Sequence, residues 1–254
     1  MHKLAGFFYF MKYSKPHLSY DKQVDLLVSR GLIIKDRNMA VKALTHISYY
    51  RLSAYSIPFQ SKKDKYNKGT TLEQIIRLYE FDHELRVMVF DALEYVEISL
   101  RTAMTYYLTK IYGPFGYVEN TNYSPRFHHE QWLGGINEQL DRSRETFIRH
   151  YRGKYQKSKH LPLWMATEVF SFGALSKMYK GLKSKDQKKI AGKFNAYSPV
   201  FKSWLHSLVY LRNLCAHHAR LWNRELAISP KIPDENKIWY NPFPIKNNRI
   251  FALL

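Results

Sequence analysis

Near the C-terminal end of the chain, Arg212, Asn213 and His217 stand together in the run RNLCAHHARLWNR, Arg212–Arg224. Ser198-Pro199 upstream places an N-cap residue before a proline at the first helical position, which predicts a helix from there to about Trp222. On that helix Phe201, Leu205, Leu208, Arg212, Cys215, Ala219 and Trp222 fall on one stripe, so a guanidinium interrupts an apolar face. A charge in that position needs a carboxylate, a partner subunit or a bound phosphate. Asn213, His217 and Arg220 follow at i, i+4 and i+7 on a polar face, where Asn213 can hydrogen-bond His217 and orient it. An imidazole exchanges a proton near neutral pH, and a guanidinium offers a planar fork to two oxygens of a phosphate. The group therefore has the equipment for acid–base chemistry beside a phosphate. Arg212 and His217 lie about 140° apart around an ideal helix, so their ends meet only through the length of arginine or across a two-fold axis. A homodimer is expected on that ground. Arg77/His83 and Arg144/His150 have five residues between them; Arg212/His217 is the only Arg–His pair with four. His218 shares a stripe with Leu211, Leu214 and Leu221 and is expected in the core.

The elements that must carry these residues read as helices. Ser19 can cap a helix that Gly31 stops near Arg30, and a second runs from Asp36 to about His46. Ser61–Gly69 (SKKDKYNKG) reads as a polar basic loop. Thr71 and Gln74 have capping-box spacing, and no Gly or Pro follows until Gly113-Pro114. Apolar residues recur there at steps of three and four, which predicts one long helix with Phe81-Asp82 as its weakest point. Further helices are expected over about Phe127–Phe147, Leu161–Phe170 and Leu175–Leu182, and the tail from Ser229, with four prolines, reads as irregular. No strand alternation stands out. The expected class is all-α, divided as an N-terminal helical segment (1–60), a helical core (61–225) and an irregular C-terminal tail packed on the core (226–254).

Composition bounds the partners. The 254 residues include 40 Lys plus Arg against 21 Asp plus Glu, a formal charge of +19, which draws a protein to polyanions. Twenty tyrosines interleaved with that charge supply stacking faces beside phosphate contacts, as single-stranded nucleic acid requires. Cys215 is the sole cysteine, so an intrachain disulfide and a thiolate zinc cage are both excluded, and a reducing cytoplasm fits. The apolar patch Leu4–Phe10 is too short to span a bilayer and has no cleavage site after it, so neither a signal peptide nor a membrane partner is expected.

Other residues offer weaker chemistry. Tyr50 and Arg51 sit in an aromatic stretch that can stack bases and grip phosphate, or equally close a core edge. Lys177 and Lys180 open a lysine-dense region that reads as a solvated face doubling as a backbone contact. Glu94, Glu97 and Arg101, at i, i+3 and i+7 on the long helix, look like ion pairs or a partner for Arg212 more than a metal site. No metal and no cofactor is expected; Walker, dinucleotide and nucleophile-elbow motifs do not occur.

Three blocks then resemble a known family. SYYRLSAYSIPF (Ser48–Phe59), LPLWMATEVFSFGALSKMYKGL (Leu161–Leu182) and RNLCAHHARLWNR are similar, in that order, to the N-terminal, middle and C-terminal blocks of the bacterial Abi-like (AbiD/AbiF) abortive-infection proteins. The resemblance covers roughly Leu18 to Trp222. It implies membership of the HEPN superfamily: a HEPN-type helical bundle with an N-terminal helical extension, a homodimer, and an Arg–polar–His motif filled by Arg212, Asn213 and His217 as catalytic residues. It further implies an antiphage, cytoplasmic, metal-independent endoribonuclease, with RNA as substrate and a small regulatory RNA as a further partner. Arg51, Tyr50, Arg220, Lys177 and Lys180 are the expected RNA contacts. The alternative is a non-catalytic RNA-binding HEPN scaffold.

Overall fold

The computed structural model describes residues 14–232 and 246–253. Helix accounts for 65% of it against one two-stranded sheet, so the class is all-α. The Leu4–Phe10 patch and the central part of the tail, 233–245, lie outside the described residues. The chain divides into two compact units, 1–81 and 82–254.

In the first unit Ser19 accepts from the Lys22 N–H and starts α1 (Tyr20–Ser29), and Gly31 leaves it at φ +90°. Asp36 caps α2 (Arg37–Ile47) through the Met39 N–H, and Ser48 caps α3 (Tyr49–Ser56). Val24, Leu27, Leu44, Leu52, Tyr55, Leu72 and Ile75 form the core. The basic segment expected to be a loop instead folds as an antiparallel hairpin, β1 (Gln60–Lys62) with β2 (Lys65–Tyr66). The turn rests on Asp64 at φ +65°, a left-handed conformation that Asp tolerates better than most residues. Two- and three-residue strands are too short to show an alternating pattern, which is why the sequence reads as loop.

The expected capping box forms at the start of α4 (Leu72–Tyr112): the Thr71 N–H donates to Gln74 Oε1 at 3.0 Å and the Gln74 N–H to Thr71 Oγ1 at 3.4 Å. The helix continues without a break at Phe81-Asp82.

The second unit packs the remainder of α4 with α5 (His129–Arg142), α6 (Thr146–Lys154), α7 (Leu163–Ala166), α8 (Phe172–Gly181), α9 (Ser184–Gly192) and α10 (Ser198–Ala216). The single helix expected over 127–147 is two, because α5 stops at Arg142 and Ser143 turns out at ψ +134° before α6 begins. Leu100, Met104, Trp132, Phe170, Phe172 and Tyr179 belong to the main core. The buried Asp186 carboxylate accepts from the hydroxyls of Tyr107 and Tyr112, both at 2.8 Å. Burial, and next that carboxylate, push both phenols up to about 12, so they stay protonated donors. A smaller cluster of Val89, Leu93, Leu211, Leu214, Leu221 and Leu226 lies under the end of α10. The described parts of the tail are irregular apart from a short 3-10 turn at Ile250–Leu253 and an isolated bridge from Arg249 to Glu225, and Trp204 on α10 donates to the Lys231 carbonyl at 2.9 Å. Among the described residues no helix is long and apolar enough to cross a membrane.

Candidate active site

Helix α10 ends at Ala216, six residues before the expected Trp222. The stop is a Schellman turn without glycine. The Ala219 N–H reaches back to the Leu214 carbonyl at 2.9 Å, the His218 N–H to Cys215 at 3.0 Å, and His218 takes the left-handed position at φ +55°. Two consequences correct the sequence reading. His218 is exposed rather than part of the core, and Arg220 does not continue the Asn213–His217 face, because it lies beyond the helix and is half-buried in the following turn.

What holds that turn is Asp82. Its fully buried carboxylate accepts the backbone N–H of Leu221 and of Trp222, and it forms an ion pair with the buried Arg86 one helical turn along α4. Two N–H donors and one guanidinium compensate the charge that burial would otherwise penalise. Cys215 lies close by. Burial pushes its thiol up to about 11, Arg86 pulling it slightly down and Asp82 up, so it is a packed side chain and not a nucleophile.

Arg212 meets the carboxylate that its place on the stripe requires. Its Nη2 stands 3.5 Å from Oε2 of Glu97, whose other oxygen holds Arg101 at 3.1 Å. Arg101 in turn donates to the carbonyls of Thr167 and Phe170, tying α4 to the segment after α7. Glu97 and Arg101 are mostly buried, with side chains 15% exposed, while Arg212 keeps 31%. The Arg212 head therefore borders an open groove of about 500 Å³ along α4, with Glu94, Arg101 and Glu168 on its walls. Of these carboxylates it is Glu97 that serves as an ion-pair partner, to both Arg101 and Arg212.

Asn213 faces a different groove, of about 590 Å³, between α5, α8 and α10. Its Oδ1 accepts from Arg212 Nη1 at 3.5 Å, and its backbone carbonyl, not its side chain, receives the His217 N–H at 3.0 Å. The His217 imidazole is exposed at the C-cap, and among the described residues it makes no side-chain hydrogen bond. So the three motif residues occupy the last turn of one helix, with Arg212 and Asn213 in contact and His217 at its end.

The remaining candidates are dispersed. Lys177 and Lys180 are exposed on α8, Lys177 on the wall of the Asn213 groove. Tyr50, 89% exposed, and the half-buried Arg51 belong to α3 in the first unit. Asp82 is the residue that sequence reasoning missed as a contributor. Its i,i+4 partner Arg86 is local, but the two N–H groups it anchors lie 139 and 140 positions away.

The model of a family described as Abi-like protein matches residues 42–223, most of the chain and all of this site. The chain belongs to the Abi-like family. No curated protein and no solved structure gives a significant match. Membership of the Abi-like family implies an abortive-infection function. The matched span ends at Asn223, so it takes in the Schellman turn and the Asp82 anchor together with the Arg212–His217 helix end.

Proposed function

We propose that this Abi-like protein is a HEPN-type, metal-independent endoribonuclease that arrests infected cells by cutting RNA. The observation that carries the reading is the end of α10: it carries both a guanidinium oriented by Glu97 at the lip of a groove and, at the C-cap, an imidazole open to solvent. RNA brings its own nucleophile, the 2′-OH beside the scissile phosphate. His217 takes that proton as base and supplies one to the leaving 5′-oxygen, while Arg212 and Asn213 hold the phosphorane as negative charge builds. The products are a 2′,3′-cyclic phosphate and a 5′-OH. The charge of +19 and the exposed Lys177, Lys180 and Tyr50, with Arg51 and Arg220, serve to grip RNA, and the same charge suits a small regulatory RNA. A homodimer brings two α10 ends together.

A second reading, an RNA-binding scaffold that does not cut, is favoured by one observation: among the described residues no side chain orients the His217 imidazole. Incubating the protein with a single-stranded RNA in EDTA separates the two. Cleavage that persists in EDTA, vanishes in His217→Ala and spares a 2′-deoxy substrate is expected of the enzyme. Tight binding with no new ends supports the scaffold, and a 3′-OH product restored by Mg²⁺ means a metal-dependent mechanism.

A further inference from the structure

Helix α10 is a ridge between two grooves, and consecutive residues of the candidate motif face both. Arg212 borders the groove along α4; Asn213 and Val209, one turn apart, form a wall of the groove between α5, α8 and α10. The second groove has no part in the proton chemistry described above. Its volume, about 590 Å³, lies within the range of small-molecule sites, roughly 300–1,000 Å³.

We propose that this groove is a subsite for one unpaired nucleobase of the RNA and its adjoining phosphate, the base lying over Gly135 and the phosphate on Lys177. The assignment of the polymer rests on the ribonuclease reading; the groove's chemistry stands on its own residues.

Three features point to a flat, polar-edged ring. The floor is apolar, built from Trp132, Ile136 and Ala174, which gives a base a dry face to lie on. Gly134-Gly135 sits in the interior of α5, where glycine is the poorest ordinary helix former. A Cβ built at Gly135 would meet nothing within 4 Å, so packing within the chain does not require the glycine. The bare backbone at Gly135 instead leaves the groove open to an approaching ring. The rim, finally, presents amides. The Gln131 side chain makes no hydrogen bond among the described residues, and the Asn213 side chain uses only its oxygen, on Arg212, leaving Nδ2 to donate. Amide side chains match the paired donor and acceptor on a base edge, and Lys177 adds a cation beside them. Because Asn213 touches Arg212, a base held here places its neighbouring phosphodiester near the ridge where Arg212 and His217 stand.

Gly135→Leu is the discriminating variant. The open space accepts the side chain and leucine favours a helix, so folding is retained while the groove is filled. The full chain is titrated calorimetrically with the four nucleoside 3′-monophosphates, and its cut positions on a long unstructured RNA are mapped. The wild type is expected to bind at least one nucleotide; Gly135→Leu weakens that binding at least about fivefold, the low end of what a stacked base contributes. The variant should still cut RNA, but at a changed set of positions. Lys177→Gln should weaken the same nucleotide without moving the cut sites. Unchanged nucleotide affinity in Gly135→Leu, or no nucleotide binding by the wild type, overturns the subsite, as does an identical cutting pattern. Nucleotide binding lost in Gly135→Leu by a protein that cuts no RNA keeps the subsite and removes the ribonuclease reading.

Discussion

The Asp82 carboxylate on α4 accepts the backbone N–H of Leu221 at 3.0 Å and that of Trp222 at 2.6 Å, fastening the turn that follows His217. Asp82→Ala would strip both donors of their acceptor and take from the buried Arg86 its carboxylate. Breaking a buried pair of this kind costs about 3–5 kcal/mol, so the urea midpoint should fall well below that of the wild type. Asp82→Asn keeps an acceptor for one N–H and should lose less. Equal midpoints for Asp82→Ala and the wild type would remove the anchor.

His218 and His217 are adjacent and are expected to respond in opposite ways. His218 holds a left-handed conformation, which a β-branched residue resists by roughly 1–2 kcal/mol and glycine does not. His218→Val should therefore be less stable than His218→Gly by about that amount, with both still able to cut RNA at a temperature where they are folded. His217→Ala should be as stable as the wild type, since the imidazole is exposed, and should not cut. Cleavage lost in His218→Gly and kept in His217→Ala would transfer the catalytic role to the neighbour.

The same turn explains what the sequence could and could not tell. The Thr71/Gln74 box was legible because capping chemistry is local, spanning three or four residues. Helix α10, by contrast, begins at Ser198 itself, with Tyr197 as its N-cap and no side-chain cap bond, so Ser198 is not the cap the sequence suggested. The guanidinium on an apolar stripe announced its need for a partner, and Glu97 was within reach of the same reasoning because it shares helical spacing with Arg101. The end of α10 was not legible. A Schellman turn normally carries glycine, and here the run Ala216–Ala219 offers none, so periodicity ran on into Leu221 and Trp222. Leu221 does reach the core and both residues bond Asp82, but through a turn rather than along a helix face. The β1–β2 hairpin escaped for a similar reason, its strands being too short for a period of two to show.

Glu97 divides its charge between two arginines, and its removal should be read in salt as well as in stability. Glu97→Gln leaves Arg101 and Arg212 as like charges held near one amide, which costs on the order of 1–3 kcal/mol of stability. It also frees Arg212 to engage a phosphate. RNA binding by the wild type should weaken linearly in log–log form as salt rises. Glu97→Gln should steepen that slope by about 0.7, the increment for one further phosphate contact on a single strand. A slope that stays the same, measured by fluorescence anisotropy across a salt series, means that Arg212 gains no phosphate contact when Glu97 is neutralised.

The proposed homodimer has a candidate face on α4. On α4, Met88, Tyr95 and Tyr106 are 67%, 70% and 62% exposed, and their spacing puts them within about 20° of one another around the helix. Ile98, 50% exposed, flanks them and also lines the groove that Arg212 borders. Large apolar side chains aligned along one exposed helix face are characteristic of association surfaces, and a second copy packed there would cover the stripe and stand beside Arg212. Met88→Glu with Tyr95→Glu places like charges on both sides of such a two-fold contact, so it should turn a dimer into a monomer in light scattering at micromolar concentration. Helical content should be unchanged, because both positions are exposed and glutamate is a good helix former. If the composite site is real, RNA cleavage should fall with the dimer fraction while binding persists. A monomeric wild type that cuts RNA, or a dimer untouched by both glutamates, would rule out this face as the contact.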